Sequence, residues 1–477
     1  MRGRRRWSWC LPALVAVLAW PVAAQDQENC VTCHEKLNPG EVLQWRASEH
    51  SKQGVTCSTC HGREKGDVDA FEHNGSYIAT IVTPKNCGQC HQKEFDEQKG
   101  SHHAKAGQIL GSLDNYLGEV IGGPPASDTG CRQCHGSEVK LDANKRPTKD
   151  TWPNTGMGRI NPDGSWGSCS ACHGRHEFSV RQARQPESCG KCHLGPDHPQ
   201  TEIWQESKHG MMYRANREMM KLDSKQWRAG KEYFSGPTCA SCHMSAAGAQ
   251  PVTHDVGDRL SWTLRPIVSS KLNLVAYDDN NKDDIVGDAP ALPKVGDMFR
   301  LGTAPERKVA EVVTWQQRRD KMQNVCVQCH QTSFIKGAYS QFDATVDLYN
   351  DKFAKPAKAI MDELKASGKL TKADFDEKLE WSYYEMWHHE GRRARHGAAM
   401  QGPDYAWWHG IYDVAKTFYT SFLPEVKEAA GDEMGKALIE KHVYSNPGHT
   451  WLRDGMSKET LQKMQEFYRQ RYGEGGK

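Results

Sequence analysis

The sequence predicts a mainly α chain in two parts. The N-terminal part has little regular structure and packs around covalently held prosthetic groups. The C-terminal part is a set of long helices. Three observations predict this: eight C-x-x-C-H motifs, an aliphatic-poor but aromatic-rich composition, and a change to helical patterning near residue 336.

The motifs are Cys30, Cys33 and His34; Cys57, Cys60 and His61; Cys87, Cys90 and His91; Cys131, Cys134 and His135; Cys169, Cys172 and His173; Cys189, Cys192 and His193; Cys239, Cys242 and His243; and Cys326, Cys329 and His330. Together they use every one of the 17 cysteines except Cys10. Each motif offers two thiols for thioether bonds to haem vinyls and a histidine to ligate the iron. Half zinc sites or redox dithiols would not need a histidine directly after each second cysteine. The expected cofactors are eight covalently bound c-type haems, which makes the fold a haem-packed multihaem cytochrome c.

Composition agrees. Hydrophobic residues are 37% and the mean hydropathy is −0.77, yet there are 15 Trp, 15 Tyr and 12 Phe. Haem can stand in for aliphatic side chains as core material. A disordered chain would lack the aromatics. The chain is expected to be unfolded without haem.

Residues 1–24 read as a secretory signal peptide. Arg2, Arg4, Arg5 and Arg6 form a basic start, Leu11 to Trp20 a short apolar run, and Val22-Ala23-Ala24 a small-residue cleavage site. The run is too short for a membrane span, and no later segment approaches that length. A periplasmic protein with no transmembrane anchor is expected. Without the four leader arginines the chain has 58 basic against 60 acidic residues, and haem propionates add further negative charge. Nothing points to nucleic acid; a small substrate and a cytochrome partner suit this balance.

Residues 25–335 form the expected octahaem-binding domain. The motif starts are separated by 20 to 87 residues with no fixed period, so this is no solenoid. Short helices should lead into the motifs, with turns at Gly122-Gly123-Pro124-Pro125 and Asn161-Pro162-Asp163-Gly164. The last gap, with its acidic stretch Asp278 to Asp284 and then Pro290 to Gly302, predicts a surface excursion. Residues 336–477 form the expected helical domain, with helices over 354–366, 372–395, 405–430 and 457–472.

At several sites the sequence resembles the hydroxylamine oxidoreductase family of octahaem enzymes. Cys169 to Ser179 is similar to the family's fifth haem site with its neighbouring distal histidine. Asp197-His198, after Pro196, resembles its active-site pair. Ser207-Lys208-His209-Gly210, Thr253-His254 and Trp262 resemble segments around distal ligands, and Asp404-Tyr405 before Gly410 resembles the segment of its crosslinking tyrosine. By that resemblance His50, His73, His103, His176, His209, His254 and His396 are the second axial ligands of seven haems, the last from the helical domain. One iron is then five-coordinate: the resemblance implies that it belongs to Cys131, Cys134 and His135, with Asp197 and His198 on its open face to handle protons.

The resemblance also implies a homotrimer in which Tyr405 bonds to the catalytic haem of a neighbouring subunit, with Tyr412 as the fallback. Such a crosslink favours oxidation of hydroxylamine to nitric oxide or nitrite, which is the expected reaction. Arg265 pulls the other way. By the resemblance it stands near where the oxidative enzymes carry an active-site tyrosine, and an arginine near iron suits nitrite. The alternatives are reduction of nitrite or hydroxylamine to ammonium, hydrazine oxidation, and a non-catalytic electron conduit in which His198 or His409 closes the last iron. The expected electron partner is a periplasmic cytochrome c or a membrane quinone-linked enzyme.

Overall fold

The computed structural model describes residues 20–111, 113–278, 281–286 and 292–473. Most of the leader, residues 1–19, lies outside the described residues. The chain forms two compact units: Met1–Gln92 with Lys105–Gln182, and Lys93–Ala104 with Ala183–Lys477. The first carries motifs one to five. The second carries motifs six to eight together with the helical region, so this division differs from a boundary near residue 335. The excursion of Lys93–Ala104 into the second unit delivers His103 there.

In the first unit, short helices alternate with loops. Cys57–His61 is one helical turn that contains the second motif, started by Thr56 and Thr59, whose hydroxyls bond each other's backbone N–H. A small hairpin, Phe71–His73 with Ser76–Ile78, turns at Asn74-Gly75. Both turn residues have positive φ, the geometry that selects an Asn-Gly pair. Around the fourth motif, glycines allow backbone to touch backbone. A Cβ on Gly156 would overlap Gly136, and one on Gly158 would overlap Gly107. The close approach lets Met157 and Gly158 donate to the carbonyls of Cys134 and His135, both at 3.0 Å.

The second unit holds the larger core. Helices Thr332–Tyr349, Lys355–Ala366, Leu423–Ala430 and Asp432–His442, with the turn Phe418–Phe422, bury Tyr349, Ile360, Leu364, Phe418, Phe422 and Val426. Each such side chain contributes about 1.5–3 kcal/mol by leaving water. The expected helices over 354–366 and 457–472 appear as Lys355–Ala366 and Lys458–Tyr472. The other two are interrupted. Residues 372–377 are not helical, because Thr371 and Glu377 bond across the loop and Asp376 accepts from the Thr371 hydroxyl. Wider π turns then follow at Glu385–Glu390, Trp407–Tyr412 and Phe418–Phe422. A π turn adds a residue and re-aims the side chains, and such turns concentrate at functional sites.

The excursion before the eighth motif is an antiparallel sheet. Ser270–Asp278 pairs with Trp262–Thr263, Asn281–Val286 and Glu311–Val313. No helix among the described residues is long and apolar enough to cross a membrane.

Candidate haem sites and a charged cluster

Two imidazoles that bind one metal from opposite sides, each nitrogen about 2 Å from it, have ring centres about 6 Å apart. Among the described residues, His193 and His198 stand at this spacing too, 6.0 Å apart, but five pairs join a motif histidine to an expected second ligand. In the first unit they are His34 with His73 at 6.2 Å, His91 with His50 at 6.1 Å and His61 with His176 at 6.4 Å. In the second they are His193 with His103 and His330 with His209, both at 6.0 Å. Each joins a motif histidine to one of the expected second ligands, so the residues present fit axial ligation of haem.

Local bonds prepare the motif histidines. His61, His135 and His243 point Nδ1 at the carbonyls of Ala79, Ala106 and Val256, at 2.9, 3.3 and 3.2 Å. That leaves Nε2 for iron and fixes the ring orientation. Burial, aided by the charges of Arg265 and neighbouring histidines, pushes His103 down to about 4 and His193 down to about 3. Both rings are therefore held in the neutral form that binds metal.

Motifs also approach one another. Cys87 of the third hydrogen-bonds Cys169 of the fifth, and Cys189 of the sixth hydrogen-bonds Cys239 of the seventh. Cys242 of the seventh lies near Cys326 and Cys329 of the eighth. The attachment points of motifs six to eight are thus contiguous in the second unit, and those of motifs three and five adjoin in the first.

A charged cluster occupies the second unit. Asp197 and His198 follow the sixth motif. His198 Nδ1 meets Asp197 Oδ1 at 2.5 Å and its Nε2 meets the Cys192 carbonyl at 3.0 Å. Both ring nitrogens thus face oxygen atoms. Arg392, on the helix Gly391–Met400, donates Nη1 to Asp197 Oδ2 at 3.1 Å and Nε to the Arg265 carbonyl at 2.8 Å. Burial alone would raise the Asp197 carboxyl. The bond from His198 and the charges of His198, His388 and Arg392 outweigh it and hold the group well below the usual carboxylate range.

Arg265 lies close enough for its charge to depress His103, His193 and His396. His396 is buried, with Nε2 3.3 Å from Gln200 Nε2 and near the charges of His198 and Arg392. His254 stands 3.8 Å from Glu97.

Tyr405 is half-buried on the short helix Pro403–Ala406. Its ring is 5.6 Å from that of His409, whose Nδ1 meets Asp404 at 2.6 Å. Gly397 and Gly410 allow this helix to approach, since a Cβ on either would overlap the backbone of Tyr405 or Ala406. Burial and the charges of Glu202, Glu206 and Asp404 raise the Tyr405 hydroxyl. Tyr412 is exposed, 5.3 Å from Trp408.

Sequence reasoning singled out Asp197, His198 and Arg265 but missed Arg392 and His388. Both lie on a charged helical stretch that reads as a solvated face. The run Trp387-His388-His389-Glu390 before Arg392-Arg393 was the available signal, since His388, Glu390 and Arg392 are all buried.

Comparison with known proteins agrees with this architecture. Residues 163–286 match the family model "Seven times multi-haem cytochrome CxxCH", and residues 18–62 match "Cytochrome c554 and c-prime". The fold and the ligand pairs define a multihaem cytochrome c. The chain is 26% identical over 345 residues to a probable nitrite reductase-hydroxylamine oxidoreductase fusion protein of Kuenenia stuttgartiensis. That match covers 64% of this chain and 34% of the relative, so the chain spans about a third of that protein's length. Among solved structures, a hypothetical multiheme protein superposes with a TM-score of 0.70 at 24% identity, over 85% of this chain and 96% of that one. The Kuenenia stuttgartiensis reducing HAO-like protein complex Kustc0457/Kustc0458 gives a TM-score of 0.57 at 20% identity, over 88% and 87%. Taken together, these matches support placing the chain in a hydroxylamine oxidoreductase-like family of multihaem cytochromes c.

Proposed function

We propose that this protein is a redox enzyme of nitrogen metabolism that reduces nitrite, and hydroxylamine, to ammonium. The observation that carries this reading is the charge of the cluster. Arg392 and His198 bond the Asp197 carboxylate, and the charge of Arg265 reaches His193 and His396 close by. A site with surplus positive charge attracts an anion such as nitrite and holds its oxygens by charge-assisted hydrogen bonds. Reduction to ammonium consumes more protons than electrons, and His198 is arranged as a proton donor backed by Asp197. The sequence resemblance assigns this pair to the haem of Cys131, Cys134 and His135. When bound, the haems supply the substrate-binding iron and the path for electrons.

The second reading is oxidation of hydroxylamine, and Tyr405 favours it. A half-exposed tyrosine on a glycine-cushioned helix is available to a neighbouring subunit, as a crosslink in a homotrimer requires. Export to the periplasm and exchange of electrons with a small cytochrome c fit either reading.

The test is an assay of the purified holoprotein with reduced methyl viologen and nitrite, beside a haem-stained denaturing gel. Ammonium formation with a single monomer band supports reduction. Reductant-resistant dimer or trimer bands, with hydroxylamine oxidation and no ammonium, overturn it.

A further inference from the structure

Three acidic side chains outside the charged cluster gather where the loop after Leu370 enters the helix Lys378–Tyr384. Asp376, Glu377 and Glu380 each present a carboxylate oxygen, and the three oxygens lie within 4.8 Å of one another. The loop is folded to bring them together. Thr371 donates its N–H to Glu377 Oε1 at 2.7 Å and its hydroxyl to Asp376 Oδ2 at 2.8 Å. The Phe375 carbonyl accepts from the Trp381 indole at 2.8 Å, which ties the loop to the helix.

Like charges so close repel each other unless a cation or a shared proton lies between them. Lys365 meets only part of this need: its Nζ stands 3.3 Å from Glu380 Oε1 and 3.3 Å from Asp374 Oδ1. Glu380 carries the argument. It is 5% exposed, and its other oxygen, Oε2, is buried with no hydrogen-bond partner. Glu377 Oε2 is also buried and without a partner. A buried carboxylate oxygen left unpaired is costly, and a cation is a partner that neighbouring carboxylates can share. Helix capping does not account for the group, because Glu377, at the N-cap of Lys378–Tyr384, makes no side-chain cap bond.

We propose that Asp376, Glu377 and Glu380 form a calcium site. The donors are all carboxylate oxygens, which suit a hard cation rather than zinc or copper. Calcium takes oxygens at about 2.3–2.6 Å, so ligands on opposite sides of it stand about 5 Å apart. Oxygens within 4.8 Å of one another fall inside that span. Magnesium needs a tighter, near-ideal octahedron, which two loop residues and one helix residue do not impose. Asp376 is exposed, so water can complete the shell. Three carboxylates without a dedicated cage predict weak binding, with Kd about 10⁻⁴–10⁻³ M. The bound ion would tie the loop to the first turn of Lys378–Tyr384 and, through Glu380 and Lys365, to the helix Lys355–Ala366. That helical stretch runs on through Glu385–Glu390 into Gly391–Met400, which carries Arg392. The site is thus a brace beneath the charged cluster, and it stands whichever direction the enzyme works in.

The test uses holoprotein stripped with a chelator and exchanged into metal-free buffer, as wild type, Asp376→Asn and Glu380→Gln. Calcium chloride is titrated in by calorimetry, with equilibrium dialysis to count bound ions. The wild type should bind one more calcium ion per chain than either variant. Trypsin supplies a second readout, because Lys369 and Lys372 are exposed in the same loop. A ligand that holds the loop closed slows its opening by 1 + [L]/Kd, so about 5 mM calcium should slow these cuts by about 6- to 50-fold in the wild type. Neither variant should show that protection, and the haem spectra of all three should agree. If Glu380→Gln disturbs the haem spectra it has misfolded, and the exposed Asp376→Asn decides. No saturable calcium binding by the wild type overturns the site and leaves a shared proton between the carboxyl groups. Equal stoichiometry in wild type and Asp376→Asn, or cleavage indifferent to calcium, overturns it as well. Magnesium that binds and protects as well as calcium overturns the choice of ion.

Discussion

Replacing His209 by alanine should open a second haem to ligands. His209 sits on the helix Lys208–Asn216, which Ser207 caps by accepting from the Gly210 N–H at 3.2 Å. Its ring centre is 6.0 Å from that of His330, the spacing of two axial imidazoles. Alanine keeps the helix, since it has the best helix propensity, and removes only the ring. His330 remains stacked on Phe334 at 4.9 Å, so the other side of the eighth haem keeps its ligand. If one haem is open in the native protein, carbon monoxide binds one per chain after reduction. The variant should bind two, a doubling. The eighth haem should also become high-spin and its potential should rise on losing a nitrogen ligand. The assay is carbon monoxide titration of the reduced protein, read in the Soret band and normalised to total haem. Unchanged stoichiometry would refute the ligand-pair argument for this haem. No binding in the wild type would refute the open haem itself and leave the electron-conduit reading.

Three further predictions concern the cluster and its surroundings. Asp197→Asn keeps the size but not the charge of the side chain, so turnover should fall by about 10²–10⁴ with the carbon monoxide stoichiometry unchanged; activity within twofold of wild type would remove Asp197 from proton handling. Burial raises the Glu390 carboxyl to about 7 against about 4.3 in an unfolded chain. A raised carboxyl stabilises the fold below its unfolded value and loses that contribution as pH rises through the folded value. Glu390→Gln should therefore match wild type near pH 4 and exceed it by about 3 kcal/mol near pH 8, read as a higher melting temperature only at the alkaline end. Gly397→Ala should drive a methyl group into the backbone at Tyr405 and Ala406. If Tyr405 forms a crosslink, that variant and Tyr405→Phe should both lose the reductant-resistant bands on a denaturing gel.

How much of this was legible in the sequence follows from the range of each interaction. Haem attachment needs two thiols and a histidine within five residues, so the motifs declare themselves without any fold. Axial pairing is a tertiary fact. His50 stands before the second motif yet faces His91 of the third, and His176 follows the fifth yet faces His61 of the second. No spacing rule predicts such crossings; resemblance to a family supplied the candidates. The helices over 355–366 and 458–472 were readable because composition and capping act locally. The π turns were not, because inserting a residue in a helical turn leaves the composition helical. The sheet over 262–313 was hidden for a different reason. Asn281–Val286 is polar and acidic, without the alternation by which half-buried strands are recognised. Arg392 was invisible because a buried arginine paired to Asp197 looks, in sequence, like any surface charge.

The approach of cysteines from different motifs bears on how the protein is made. Cys87 and Cys169 lie within hydrogen-bonding reach, as do Cys189 and Cys239. Neither pair belongs to a single motif. In an oxidising compartment, thiols so close are poised to join as disulfides. A disulfide between the third and fifth motifs would withdraw one thiol from each of two attachment sites. Thioether attachment consumes one thiol of each pair, so haem loading at either motif also removes the partner of that wrong bond.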